Sequence, residues 1–339
     1  MKQVFTSTNR LASLRLTTIL FLLLTFFASS PITPVTAQEL SLSISPPLVE
    51  TIIKPGKSIL IAYTIQNYAD PTVLRIKVRP FVAKSNLGEI SVKKDFSGPI
   101  RFQLDNNDIE LEKPFFLKPN EKKQALVRLR VPDGAPEGDY YYTVLAETEA
   151  PPALEGSSTT SVMGAIGANL LVSVSETGYA PVQTKIALFD LRNGWKLPFF
   201  NSKFFDSSST IPIVLIIGNG GKHFIKPEGK ITLKGNFNET ADYAIIPQNI
   251  LSESQRLALA TPSASIDCDS LTLCKHPASL LLSGFFIGKY NLKASIDFGD
   301  GSQQLYATTS FIALPIKVIL TLATAIIVAI VVIKKYKNR

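Results

Sequence analysis

Apolar and polar residues alternate at every second position through most of the chain ahead of its C-terminal apolar run. Residues 41–45 alternate, and residues 58–67 put Ile59, Ile61, Tyr63 and Ile65 on one face. Residues 72–81 put Val73, Arg75, Lys77 and Arg79 on one face and Leu74, Ile76 and Val78 on the other; residues 124–131 repeat the scheme, and residues 138–148 read as a further strand. One apolar face per segment predicts half-buried antiparallel strands. Turn signals separate them: KPGK at 54–57, YADPT at 68–72, KPNEK at 118–122 and PDGAPEGD at 132–139. Short strands punctuated in this way predict a β-sandwich.

The stretch PPALEGSSTTS at 151–161 interrupts the pattern. It reads as a domain linker or as a long loop. The strand pattern resumes in GANLLVSVSE at 167–176, which favours the loop and puts the domain boundary near residues 177 and 178. Further strand patterns follow at 180–191, 211–219, 223–235, 242–247, 278–284, 288–299 and 303–314, with an Asp-Gly hairpin signal at 299–301. The halves share a loose plan. Each has a strand ending in an Asn-containing turn (IQNYADP, IIGNGGKH) and a late Gly-x-Tyr strand (Gly138 to Tyr140, Gly288 to Tyr290). The predicted fold is all-β: two tandem immunoglobulin-like β-sandwiches, residues 38–177 and 178–310, followed by one C-terminal transmembrane helix.

Both ends carry targeting signals. Lys2, Arg10 and Arg15 precede or flank the start of an apolar run at about 16–28, and Val35 and Ala37 sit before a cleavage point at Gln38. This is the make-up of a secretory signal peptide over residues 1–37, with an uncleaved signal anchor as the alternative. Residues 311–333 form an apolar run, followed by Lys334, Lys335, Lys337 and Arg339 in a tail at 334–339. A helix over that run would cross the ~30 Å hydrocarbon layer. The basic tail predicts a single-pass protein of the cell membrane, with its tail in the cytoplasm and its body outside.

The formal charge of +8 invites comparison with nucleic-acid binders, but its distribution argues against one. Residues 1–38 hold three cations and no acid, and residues 311–339 hold five cations and no acid, which accounts for the whole excess. The stretch between them is electrically balanced and has no basic stripe to drive phosphate binding.

Chemistry-bearing groups are sparse. The chain has two histidines, His223 and His276, both in apparent loops, and no G-x-S-x-G or H-E-x-x-H string, so no catalytic residues, metal site or cofactor are expected. The two cysteines, Cys268 and Cys274, are expected to form a disulfide outside the cell, the alternative being two free thiols. The acidic run 105–108 could ligate calcium, but Asx turns bonding their own backbone account for it more simply. Asn238 begins a glycosylation sequon. The candidate partner surface is GWKLPFFNSKFFDSSS at 194–209, with Trp195, Lys196, Phe199, Phe200, Phe204 and Phe205. These rings either meet a partner or a membrane interface, or plug the end of a sandwich.

The segments SPPLVETIIKPGKSILIAYTIQN and FFLKPNEKKQALVRLRVPDGAPEGDYYYTV resemble the first extracellular domain of bacterial surface proteins of the WxL-interacting type. IIGNGGKHFIKPEGKITLKG and GKYNLKASIDFGDG look like the membrane-proximal domain of related surface proteins. The resemblance implies a non-enzymatic, membrane-anchored binding or adhesion protein that contacts cell-wall polymer or secreted surface proteins. A different reading of the same features is a membrane-anchored assembly factor or chaperone for exported subunits, working through an immunoglobulin-like sheet edge.

Overall fold

The computed structural model describes residues 40–149, 164–196, 202–261, 277–299, 301 and 303–337. The first ten strands are β1 (Leu42–Ser45), β2 (Leu48–Ile53), β3 (Ser58–Asn67), β4 (Thr72–Ala83), β5 (Ile90–Val92), β6 (Arg101–Leu104), β7 (Pro114–Leu117), β8 (Lys122–Arg130), β9 (Gly138–Thr148) and β10 (Ala165–Val174). They form two sheets, ordered β1-β3-β8-β6 and β2-β10-β9-β4-β5, with β7 also on β4. Between the sheets lies an apolar core that includes Tyr63, Ile65, Leu74, Ile76, Leu129 and Tyr142. The alternation read from the sequence is the cause: Leu74, Ile76 and Val78 point inward, while Arg75, Lys77 and Arg79 point outward to pair with Glu149, Glu147 and Glu112.

The second ten are β11 (Thr184–Leu191), β12 (Trp195–Lys196), β13 (Lys203–Asp206), β14 (Ile211–Asn219), β15 (Glu228–Gly235), β16 (Thr240–Ala244), β17 (Gln255–Leu257), β18 (Leu280–Leu282), β19 (Gly288–Asp297) and β20 (Leu305–Leu314). Their sheets run β11-β14-β17, with β18 on β14, and β12-β13-β20-β19-β15-β16. They enclose a second core around Ile211, Leu215, Leu292 and Phe311. The pairing plan repeats. In each set an early strand pairs in parallel with the last one, β2 with β10 and β13 with β20, and the remaining ladders are antiparallel.

Asn67 and Asn219 show the repetition at atomic detail. Each ends its strand and is buried. The Asn67 amide donates to the carbonyls of Asp70 (2.7 Å) and Lys118 (3.3 Å). The Asn219 amide donates to His223 O (2.8 Å), Ile250 O (3.1 Å) and Leu251 O (3.1 Å), and its Oδ1 accepts from Gly221 N (2.9 Å). In both places a short amide ties loop carbonyls to the strand end; Lys118 O, Ile250 O and Leu251 O also accept from Glu121 N, Ile225 N and Ser254 Oγ.

The sequence predicts two tandem domains divided near residue 177. The described residues form two apolar cores, yet they fall into one compact unit. Phe81 and Leu171 show why: both are buried, but neither belongs to the first core. They lie on the outer face of the β2-β10-β9-β4 sheet, where the second strand set covers them.

The apolar run expected to form one helix from residue 311 divides in two. Its first residues belong to β20, where Phe311 and Ala313 point into the second core. Pro315, without an N–H, ends the ladder, and the helix α1 spans Ile316–Lys337, about 33 Å long. Pro315 O accepts from Ile319 N at 2.9 Å, so Pro315 occupies the N-cap position. Its side chain offers no acceptor. Asp206, at the end of the neighbouring β13, supplies one: its Oδ1 accepts from Lys317 N at 3.1 Å.

Asn219→Ala should destabilise the chain by about 1–2 kcal/mol in chemical denaturation, because the His223 carbonyl loses its donor and the Gly221 N–H its acceptor, while Ile250 O and Leu251 O keep Ile225 N and Ser254 Oγ. The Ser208 hydroxyl and the Lys317 N–H hold the Asp206 carboxyl down at about 2, below its ordinary 3.8. A lowered folded-state value means the cap is intact above the ordinary range and is lost as pH falls through the folded one. The Lys317 amide resonance should therefore titrate with a midpoint near pH 2.

Candidate functional site

β9 begins at Gly138, and the next residue, Asp139, faces outward from the first core toward the second strand set. Its side chain is fully buried there. Four donors converge on it. Ser173 Oγ (2.6 Å) and His223 Nδ1 (2.9 Å) reach Oδ1, while Tyr141 Oη (2.8 Å) and Phe224 N reach Oδ2. Ser173 and Tyr141 come from the first set, His223 and Phe224 from the second. A carboxylate only accepts, so this contact selects the His223 tautomer with its proton on Nδ1. Asp139 N adds a main-chain bond to Lys222 O at 3.0 Å.

Tyr141 extends the network. Its hydroxyl accepts from Ser252 N (2.8 Å) and lies 3.1 Å from Ser252 Oγ. Burial, together with the Asp139 charge, pushes the Tyr141 hydroxyl well above its ordinary value, so it stays a donor. Its ring stacks on Phe81 at 5.7 Å between centroids. His223, expected to be a solvated loop residue, is instead buried at the centre of this contact.

Beside the network lies a cleft of about 410 Å³. Its floor is the outer sheet face, with Leu48, Glu50, Phe81 and Leu171; its wall is the 247–256 segment. Asn249 donates to Glu50 Oε1, and Lys226 Nζ lies 3.4 Å from the same carboxylate. Arg256 reaches across from β17. Its Nη1 donates to Asn249 O (2.7 Å), and its guanidinium packs flat against Gly88, where an added Cβ would fall 2.4 Å from Nη2. Leu257 N donates to Asn86 O nearby, at 2.7 Å. Arg256 Nε and Asn249 Oδ1 are buried without a partner, and among the described residues Arg256 faces no carboxylate within ion-pair distance. Burial draws the Arg256 pKa down accordingly. The cleft thus combines an apolar floor with a guanidinium that has no ion-pair partner, beside the carboxylates Glu50 and Glu89, a composition suited to a ligand that carries an acceptor for Arg256.

β2 is the edge of its sheet. Pro47 O and Ile53 O accept from β10, which puts the main-chain groups of Val49 and Thr51 on the paired side and those of Leu48, Glu50 and Ile52 on the open side. Leu48 and Ile52 are exposed along that open edge.

The aromatic stretch, read either as a partner or membrane surface or as a plug of the sandwich end, is split. Trp195 and Lys196 are exposed on edge strand β12. Phe204 and Phe205 are buried, Phe205 packing edge-on against Phe311 in the second core, so they offer no partner surface. Alternation along β13 does not separate them because both of its faces are covered. Phe199, Phe200, Cys268 and Cys274 lie outside the described residues, as does His276. The acidic run serves structure: Asp105 pairs with Arg128, Asp108 with Lys123, and Asn106 bonds the backbone of β8. Among the described residues no three His, Cys, Asp or Glu side chains gather as metal ligands would. Sequence reading missed Asp139, Arg256 and β2. One signal was available: β10 is apolar on both faces (Leu170, Leu171, Val172), which requires cover on its outer side.

Asp139→Ala removes the acceptor for four donors. It should cost about 3–5 kcal/mol and split the single denaturation transition into two.

No family model and no curated protein matches this chain. Solved structures that superpose on it include the class 5 fimbriae chaperone CfaA, at 14% identity and a TM-score of 0.34, covering 81% of this chain and 100% of that one. The CsuC–CsuE chaperone–tip adhesion subunit complex of Acinetobacter baumannii gives 12% identity and a TM-score of 0.34, covering 81% and 99%. The E. coli chaperone DraB gives 13% and 0.34, covering 79% and 98%. At these values the likeness carries no argument about what this chain does.

Proposed function

We propose that this protein is a membrane-anchored, non-enzymatic binding protein, built of two immunoglobulin-like domains, that receives an extended segment of a secreted or surface protein along β2 and in the adjoining cleft. Its partners on this reading are secreted proteins of the kind its resemblance to WxL-interacting proteins implies. The observation that carries the reading is the open main-chain edge of β2 beside the cleft. A strand added there gains backbone hydrogen bonds, Leu48 and Ile52 supply apolar contact, and Arg256 supplies a donor for an acidic group. On this reading helix α1, whose last turn carries Lys334, Lys335 and Lys337, holds the body at the outer face of the cell membrane with that basic end inside.

The same edge favours the assembly-factor reading over stable adhesion. A folded partner has already paired its own strands, whereas an exported chain still folding offers an unpaired one. The structural neighbours include a Salmonella enterica SafA pilin in complex with the SafB chaperone; what those chains do is their own property.

Ile52→Pro deletes an N–H on the open side only, a change an edge strand tolerates. It should leave the melting temperature within a few degrees and reduce cross-linking to exported chains in intact cells about tenfold or more. Unchanged cross-linking, or enrichment on purified wall polymer alone, would refute the edge-binding reading.

A further inference from the structure

The end of the second strand set that carries α1 is ringed by exposed apolar side chains. β20 stops at Leu314, one residue before the helix. Ser207 N donates to Leu314 O (2.9 Å) and Phe286 N donates to Ser207 O (2.9 Å), which brings the 284–287 segment to the foot of the helix. Its neighbours in sequence, Phe285 and Ile287, are exposed, Phe285 at 64%. The ladders fix the other levels. Gly235 pairs with Tyr290 and Tyr290 with Phe311, so the β15–β16 turn beyond Gly235 reaches the level of Leu314, and at its tip Phe237 is 73% exposed. Leu281, also exposed, pairs with Pro212 at the start of β14, which follows the same end of β13. Trp195 pairs with Phe204, which pairs with Ile312, two residues or ~7 Å above Leu314. It is 61% exposed.

If α1 enters a bilayer at Ile316, these residues surround the entry point at the level of the headgroup layer, about 5–8 Å thick on each side of the hydrocarbon. Lys289, at the level of Ile312, and Lys317 add cations at the depth of lipid phosphates. Indole and phenyl rings in that layer bury apolar area while their surroundings stay polar. We infer that this end of the protein is itself a membrane-docking surface: Trp195, Phe237, Phe285 and Ile287 seat in the lipid headgroup region around α1 and hold the body down on the bilayer. The inference rests on the anchoring reading of α1.

Trp195 is the single tryptophan of the chain and therefore a built-in depth probe. The full chain is reconstituted in phosphatidylcholine–phosphatidylglycerol vesicles whose acyl chains are brominated either near the headgroup or near the bilayer centre. Docking predicts about twofold or greater quenching by the shallow bromines, weaker quenching by the deep ones, and poor access for acrylamide. A Phe237→Ser, Phe285→Ser double substitution should restore acrylamide access. Should that variant fail to fold, Phe285→Trp on a Trp195→Phe background reports the same depth from the second position. A chain that stays with the vesicles at alkaline pH while either probe ignores bromine and meets acrylamide freely overturns the docking inference alone. A chain released from the vesicles at alkaline pH overturns the anchoring with it.

Discussion

One buried carboxylate governs how the two strand sets meet. Asp139 sits outside both apolar cores, in a layer where desolvation would be costly without compensation. Donors from both sets meet it, two from each. Without the second set the carboxylate of Asp139 loses two of its four donors, His223 and Phe224, so the arrangement holds only as a whole. The cleft exists because of that constraint. Its floor belongs to the first set and its wall to the second, and the gap between them has the width that the Asp139–His223 and Tyr141–Ser252 contacts impose.

The rest of the interface follows the same logic. Phe81 and Leu171 are apolar residues on an outward sheet face, and they are buried at the floor of the cleft that the 247–256 segment walls in. Gly88 lets the Arg256 guanidinium approach the first set, where any side chain would collide with it. Glu50 accepts from Asn249 and pairs with Lys226 across the opening. Through Leu48 and Glu50, β2 thus borders the cleft and is tied to the second strand set.

Much of the β architecture was legible in the amino-acid order, because each strand has to bury one face and leave the other wet. The alternation around Leu74–Val78 translates directly into the inward and outward sides of β4. The Asn-containing turns were legible as repeats, though their burial and their role in satisfying distant carbonyls were not. The strand reading of 303–314 and the helix reading from 311 overlap because Phe311–Leu314 is equally apolar as a strand facing a core and as a segment facing lipid; the strand reading holds to Leu314. Only Pro315 marks the boundary. The candidate site was largely illegible. Asp139 and His223 are separated by 84 positions, and no local period tells a strand's outer face that another sheet will cover it. The aromatic stretch drew attention for a sound reason, but Phe204 and Phe205 serve the core while Trp195 alone among the described rings of that stretch reaches the surface.

The anchor joins the body with almost no slack. A single residue, Pro315, separates the last strand from α1, and Asp206 clasps the first helical turn from the adjacent strand. A flexible tether would let the cleft sample every direction and would absorb any pull within itself. In the anchored, cleft-binding state proposed above, a load on a chain held in the cleft would pass down β20 as through a stiff lever and tilt α1 together with the body, so that the basic last turn at Lys334, Lys335 and Lys337 would swing with it.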